Sequence, residues 1–180
     1  MVSNPGTAVR HWIMKHLLLI ASLVAASTGA VADTPKSDKT SDAAAAFARL
    51  KALVGEWESD SKARISYELV GAGTALVERE TMPDMPPMLT VYYVDGERLL
   101  LTHYCMAGNQ PRMQARRINA AAGEIDFDFL DATNLASPSA GHMHTAKVRL
   151  TDDNHFSSEW TYFENGQKKF GELAKFTRVR

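Results

Sequence analysis

The feature that most constrains the fold is a succession of short runs of alternating polar and apolar residues, which fills the chain from residue 56 onward. Ten runs are bounded by turn-forming residues: Glu56–Asp60, Ala63–Val70, Thr74–Thr81, Met88–Val94, Glu97–Cys105, Arg112–Asn119, Glu124–Leu130, His142–Thr151, His155–Phe163 and Gln167–Val179. Two links, Asp95-Gly96 and Asn165-Gly166, are dipeptides typical of tight hairpins. Strands joined in sequence without crossover helices close into an up-and-down barrel that has no free edge. We therefore expect an all-β, ten-stranded antiparallel barrel, with a two-sheet sandwich as the alternative.

One helix precedes the strands. It is expected to begin at Ser41 or Asp42, which can cap its first turn, and to end at Gly55. Three apolar residues recur at helical spacing along it: Phe47, Leu50 and Val54. Such a stripe needs a partner surface, so we expect the helix to cover one end of the barrel.

The same end should carry a structural contact between the first and last strands. Trp57 opens the first strand and Arg178 closes the last, so their side chains meet where the barrel closes. An indole beside a guanidinium is a stable cation–π pair. Gly55, Trp57 and Arg178 are therefore assigned to structure rather than to ligand binding.

The first 32 residues read as a secretory signal peptide. Lys15 and His16 precede the apolar run LLLIASLVAASTGAVA, which ends in a small-residue cleavage pattern at Ala30-Val31-Ala32. Such a run is too short for a spanning helix, although an uncleaved anchor is the alternative. We expect Met14 to be the true start, cleavage after Ala32, a loose leader over residues 33–41 and a barrel over residues 42–180. The protein is then exported, to the periplasm or beyond.

Composition excludes some classes of partner. The chain has 20 Lys and Arg against 21 Asp and Glu, a net charge of −1, so nothing indicates nucleic acid or an anionic membrane surface. Cys105 is the single cysteine, and an internal disulfide is excluded.

Strand parity predicts which side chains point into the barrel. A two-residue Asp95-Gly96 turn would pair Tyr92 with Leu99 and Met88 with His103 on one face. Two further inward sets follow from alternation: Ile125, Phe127 and Phe129 on one strand, and Ala146, Val148 and Leu150, together with His142 and His144, on the next.

The same parity brings unusual residues to one mouth of the barrel. His103 ends its strand there, and His142 and His144 begin theirs there. Six methionines are expected at this mouth: Met82, Met85, Met88, Met106, Met113 and Met143. The loops of residues 82–87, 106–111 and 131–141 would surround it.

Several segments resemble known barrel families. The opening LVGEWES, with its Gly-x-Trp pattern, resembles the start of lipocalins and of nitrobindin-like barrels. The run VYYVDGERLLLTHYCMAGNQPRM, the HMH strand, EWTYFENGQK and the ending FTRVR resemble a bacterial family of exported lipocalin-like domains of unassigned function, over residues 43 to 180. The resemblance implies a cavity for a small molecule. Nitrobindins hold haem through a histidine, and that role is not transferred to any histidine of this chain.

The candidate binding residues divide into polar contacts and an apolar wall. The polar set is His103, His142, His144, Arg112, Tyr92, Glu78 and Asn109, and the wall is Leu99, Leu101, Phe127 and Phe129. Arg112 could bind a ligand carboxylate or fix its own loop, and His103 could instead be an interior histidine bonded to Glu78 or Tyr92.

Three hypotheses for function remain open at this point. The first is an exported barrel that binds a small apolar or amphipathic ligand. The second is a copper, zinc or haem site formed by His103, His142 and His144 with the mouth methionines, since imidazole and thioether are suitable ligands. An enzyme acting on a small metabolite is third, because His103 beside Glu78 could serve as acid and base.

Overall fold

The computed structural model describes residues 41–179, so the expected signal peptide and its cleavage site lie outside the described residues. One helix, α1 (Asp42–Leu50), is followed by a 3₁₀ turn and ten strands: β1 (Gly55–Ser59), β2 (Arg64–Val70), β3 (Ala75–Thr81), β4 (Met88–Asp95), β5 (Arg98–Tyr104), β6 (Gln110–Asn119), β7 (Glu124–Thr133), β8 (His142–Asp152), β9 (His155–Glu164) and β10 (Gln167–Arg178). Each strand lies within a few residues of the run that predicted it.

The strands form a closed antiparallel barrel. Each strand pairs with the next along the chain, and β1 closes the barrel by pairing with β10. The closing register places Trp57 opposite Arg178 and Ser59 opposite Phe176. The ten-stranded up-and-down barrel predicted from the sequence is confirmed.

Helix α1 lies against the end of the barrel that holds the β4–β5 turn. The Ser41 hydroxyl accepts a hydrogen bond from the Ala44 amide at 3.2 Å, which caps the first turn. Its buried face consists of Ala43, Ala46, Phe47 and Leu50, and the helix contacts β4, β5 and β6. The helix ends at Leu50 and the 3₁₀ turn continues to Leu53, so Gly55 opens β1 rather than ending the helix.

Trp57 and Arg178 close that end. The guanidinium lies 4.1 Å from the centre of the indole ring and donates hydrogen bonds to the carbonyls of Ala52, Val54 and Asp153. Gly55 has φ +130°, and a Cβ there would lie 2.8 Å from Arg178 Nη1. The contact therefore needs a glycine at this position.

The β4–β5 hairpin has a different register from the one expected. Asp95 pairs with Arg98, so Gly96 and Glu97 form the turn, and Tyr92 faces Leu101 while Thr90 faces His103. A shift of two residues leaves every side chain on its predicted face. The inward placement of Tyr92 and His103 is thus unaffected, although their partners change.

The lower half of the barrel is a packed core. Side chains that are 0–1% exposed fill it, among them Leu76, Leu99, Leu101, Met113, Ile125 and Phe127. Leu99, Leu101 and Phe127 therefore pack against one another and their neighbours rather than forming the wall of a ligand cavity. Among residues 41–179, no helix has the length and hydropathy needed to cross a membrane.

Candidate functional site

The open end of the barrel is lined with sulfur-containing side chains. A cavity of about 370 Å³ lies there, and its lining includes Met82, Met85, Met88, Met106, Met143 and Cys105. Tyr162 and Phe170, whose rings stack at 4.9 Å, form its aromatic side. We call this space the mouth cavity. Met113, which was also expected here, is fully buried in the core because it pairs with Leu101 further down the barrel.

A smaller cavity lies deeper in the barrel. Its volume is about 30 Å³, room for roughly one water molecule. The inner cavity shares Met82, Met88, Met143 and Glu172 with the mouth cavity, so the two spaces adjoin. Its other polar side chains are His103, Glu80 and Ser158, and Trp160 forms an apolar wall.

A buried hydrogen-bond network holds His103 in place. Glu78 is 5% exposed, and its Oε2 accepts hydrogen bonds from the hydroxyls of Tyr67 at 2.6 Å and Tyr92 at 2.8 Å. The Thr90 hydroxyl lies 3.0 Å from Glu78 Oε1 and 3.0 Å from His103 Nδ1. Tyr92 and Glu78, expected to contact a ligand, instead support the histidine that lines the inner cavity.

The network decides which nitrogen of His103 carries the proton. A threonine hydroxyl has one hydrogen, and here it is donated to the Glu78 carboxylate. Thr90 must then accept from His103, so Nδ1 is protonated and Nε2 carries a lone pair. Nε2 is buried and has no hydrogen-bond partner in the described structure. The inner cavity thus presents an unused hydrogen-bond acceptor.

Burial keeps His103 neutral. The side chain is 3% exposed, its ring lies 4.8 Å from that of Trp160, and desolvation lowers its pKa to about 4. Desolvation also raises the pKa of Glu78, and the hydrogen bonds from Tyr67, Tyr92 and Thr90 oppose that rise.

His142 and His144 lie elsewhere. The β8–β9 register skips one residue between Met143 and Thr145, and this bulge changes which side chains of β8 face the cavity. Met143 lines both cavities, whereas the two histidines pack with Phe129 and Phe163. The expected inward pair is therefore replaced by a methionine because of one extra residue in the strand.

The two histidines hydrogen-bond to each other. His142 Nδ1 lies 2.8 Å from the Ala140 carbonyl, and its Nε2 lies 3.0 Å from His144 Nδ1. Phe129, predicted as part of an apolar wall, stacks on His144 with ring centres 5.1 Å apart. Burial, followed by the neighbouring His142, lowers the pKa of His144.

The three histidines predicted as metal ligands do not converge on one point in the structure. His103 contacts Trp160 while His142 and His144 contact phenylalanines, and residues 41–179 contain no group of three or more His, Cys, Asp or Glu that could hold a metal ion. Haem, which nitrobindins bind, does not fit either, since the cavity that His103 lines is about 30 Å³ and cannot admit the face of a macrocycle.

Arg112 and Asn109 serve the loops in this structure. Arg112 forms a bidentate ion pair with Asp131 on β7. These hydrogen bonds raise the pKa of Arg112 and lower that of Asp131. Its register partner on β7 is set by a bulge between Arg112 and Met113, which the sequence does not reveal. Asn109 is buried and its Nδ2 donates to the Gly141 carbonyl at 2.9 Å, which ties two mouth loops together.

Four polar or aromatic residues of the inner cavity were not predicted from the sequence, namely Glu80, Ser158, Trp160 and Glu172. Alternation could have found them. Glu80 is two residues beyond the inward Glu78, and Trp160 is four beyond the buried Phe156. The interior of a barrel is usually apolar, so an acidic residue at an inward position marks a candidate functional residue.

Comparison with known proteins shows the fold alone. No protein-family model matches the chain, and no curated protein matches its sequence. The chain is similar to the crystal structure of a protein of unknown function from the DUF3598 family of Nostoc punctiforme PCC 73102, with 13% identity, a TM-score of 0.51, and coverage of 72% of this chain and 48% of that one. The chain thus spans about half the length of that relative. It also matches the bradavidin2–biotin complex, with 11% identity, a TM-score of 0.33, and coverage of 70% of this chain and 96% of that one.

Proposed function

We propose that this protein binds a small, largely apolar molecule in the mouth cavity, with one hydrogen-bond-donating group of the ligand directed to His103 Nε2. The observation that carries the proposal is the buried, unpartnered Nε2 of His103, a residue that lines the inner cavity where it adjoins the methionine-lined mouth cavity. A buried acceptor without a partner costs free energy, which a ligand donor would recover.

The size and lining of the cavity support this class of ligand. A volume of about 370 Å³ lies in the range of small-molecule sites, which are mostly apolar with a few polar groups. Methionine side chains are flexible and polarisable, so they adapt to ligands of different shape. Met85 and Met106 are 41% and 49% exposed, and a ligand would cover them.

A neutral fluorescent probe tests the proposal. N-phenyl-1-naphthylamine brightens in apolar surroundings and reports occupancy of the mouth cavity. Two ligands of similar shape compete with it: 4-phenylbutan-1-ol ends in one O–H donor on a slim chain, whereas pentylbenzene ends in a methyl group. The full-length protein should bind both. His103→Phe keeps a ring against Trp160 and should weaken binding of the alcohol about 3- to 10-fold, the range for one hydrogen bond, without affecting pentylbenzene.

A pair of surface variants locates the binding. Met85→Asp should weaken binding of both ligands at least about tenfold, since it places a charge in the apolar mouth. Leu69→Asp, at a position that is 41% exposed on β2, is the matched control and should leave binding unchanged. Equal binding by the wild type and Met85→Asp would contradict the proposed site.

We propose further that the protein belongs among exported lipocalin-like barrels and acts outside the cytoplasm. This rests on the pattern of residues 1–32 and on the sequence resemblance. Protein recovered from the periplasm of the expressing cell should begin at Asp33. A chain that stays in the cytoplasm with its N-terminus intact would contradict this proposal.

A further inference from the structure

We infer that the ligand of this cavity is a cation, specifically a protonated amine attached to an apolar body. The inference rests on the proposed small-molecule function and identifies the chemical class of the ligand. Its basis is the charge of the side chains that surround the two adjoining cavities.

The polar groups that line the cavities are acceptors or acids. Glu80 extends from β3 and Glu172 from β10 into the inner cavity, and His103 Nε2 adds a lone pair from β5. No lysine or arginine lines the inner cavity or the mouth cavity. Lys168, on the same strand as Glu172, lies with its ammonium against Gly171 and lines neither cavity. An ammonium group offers the N–H donors and the positive charge that this set lacks.

Glu80 is the carboxylate in the less favourable setting, because it is partly buried whereas Glu172 is exposed. Burial raises the pKa of Glu80 to about 8, and the neighbouring charges of Glu78 and Glu172 contribute to the rise. A buried carboxyl group without a counter-ion normally takes up a proton. A cationic ligand would supply the missing counter-ion, and the face of Trp160 would add a cation–π contact.

An anionic ligand is disfavoured by the same groups. Arg112, the residue that could have bound a carboxylate, is paired with Asp131 and does not line either cavity. A fatty acid would therefore place its negative charge beside Glu80 and Glu172 with no partner. The site thus selects against acids that share the apolar body of the preferred amine.

Binding of a cation beside Glu80 should release a proton, and this release distinguishes a cationic ligand from a neutral one. When an ammonium binds near pH 7, Glu80 must lose its proton, so binding should release close to one proton per complex. Affinity should rise by up to about tenfold per pH unit between pH 6 and 8, while the amine itself stays protonated. The other titratable groups that face this region do not explain such a change: His103 has a pKa of about 4, and burial raises the pKa values of Cys105 and Tyr162.

The experiment compares three ligands with one apolar body: 4-phenylbutylamine, 4-phenylbutan-1-ol and 4-phenylbutanoate. Isothermal titration of the full-length protein in phosphate and in Tris at pH 7 measures affinity and proton release together. We expect the amine to bind at least about tenfold more tightly than the alcohol, the butanoate to bind weakest, and proton release to occur with the amine alone. Glu80→Gln should abolish the release and remove most of the preference for the amine, whereas Glu97→Gln, at the exposed β4–β5 turn, should change neither.

The outcomes separate this inference from the proposed function. NMR signals of the methionine methyl groups report whether the mouth is occupied, independently of charge. If the alcohol shifts these signals and the amine binds no more tightly, the cation preference is wrong and the small-molecule function stands. If none of the three ligands shifts them, both proposals fail.

Discussion

Replacing Glu80 with glutamine should change how the stability of the barrel depends on pH. The pKa of Glu80 is raised from 4.5 to about 8 in the folded chain, so the native state binds its proton more tightly than the unfolded state does. Stability is therefore highest when the group is protonated, and it falls as pH rises from about 4.5 to about 8. Glu80→Gln is permanently neutral and does not suffer this loss.

The magnitude follows from the size of the shift. A full shift of this size would correspond to about 5 kcal/mol, at about 1.4 kcal/mol per pKa unit. Glu80 retains some exposure to solvent at the mouth, which screens its charge, so we expect about 2 kcal/mol. Near pH 4.5 the variant and the wild type should differ by less than about 0.5 kcal/mol; at pH 8.5 the variant should be more stable by about 2 kcal/mol.

Urea unfolding of both proteins at pH 4.5, 6, 7 and 8.5 measures this difference directly. The contribution of His103, whose lowered pKa destabilises the fold as pH falls from 6.5 towards 4, is common to both and cancels. Glu97→Gln at an exposed turn serves as the control and should follow the wild type at every pH. If the curves for Glu80→Gln and the wild type stay parallel from pH 4.5 to 8.5, the reasoning about the inner cavity is refuted.

Three further substitutions test the frame that supports the site, each by chemical denaturation. Arg178→Ala removes three hydrogen bonds to carbonyls and the contact with Trp57, and should cost about 2 kcal/mol; a loss below about 0.5 kcal/mol would show that the closed end does not depend on it. Phe127→Ala, at a side chain that is 0% exposed, should cost about 3–5 kcal/mol, and a loss below about 1 kcal/mol would indicate an open cavity in place of a packed core. Gly166→Ala, at φ +70° with no atom within 4 Å of a new Cβ, should cost only about 1 kcal/mol from backbone strain, and a loss above about 3 kcal/mol would reveal a packing role.

The barrel could be predicted from the sequence because the alternation of polar and apolar residues is a local pattern that repeats along the chain. Alternation identifies each strand, and the number of strands then fixes which connections share an end. Strand parity places Met82, Met85, Met88, Met106 and Met143 at one mouth, where the structure has them. It survives the error in the β4–β5 turn, because a shift of two residues changes partners without changing faces.

The candidate site could be predicted only in part, because bulges break the parity on which the prediction depends. One extra residue between Met143 and Thr145 exchanges His142 and His144 for Met143 at the cavity. A similar irregularity beside Arg112 aligns that residue with Asp131. A bulge is stabilised by contacts with the neighbouring strands, so it cannot be predicted from the sequence of a single strand.

The polar network around His103 was partly visible. The sequence suggests Glu78 or Tyr92 as the partner of an interior His103. In the structure the link to Glu78 runs through the Thr90 hydroxyl, and Tyr67 completes the shell around the carboxylate. Those contacts depend on three strands aligned in register, which alternation alone does not specify. The free lone pair of Nε2 follows from the hydrogen-bond geometry and is visible only in three dimensions.

The most direct test of the account is an NMR titration of the full-length protein, labelled with ¹³C at the methionine methyl groups, with N-phenyl-1-naphthylamine. The account predicts saturable shifts for the five methionines that line the mouth cavity and a much smaller shift for Met113, which is buried in the core and serves as the internal reference. Absence of a saturable shift at the mouth methionines, or shifts no larger there than at Met113, would contradict the claim that this barrel binds small molecules through its methionine-lined mouth.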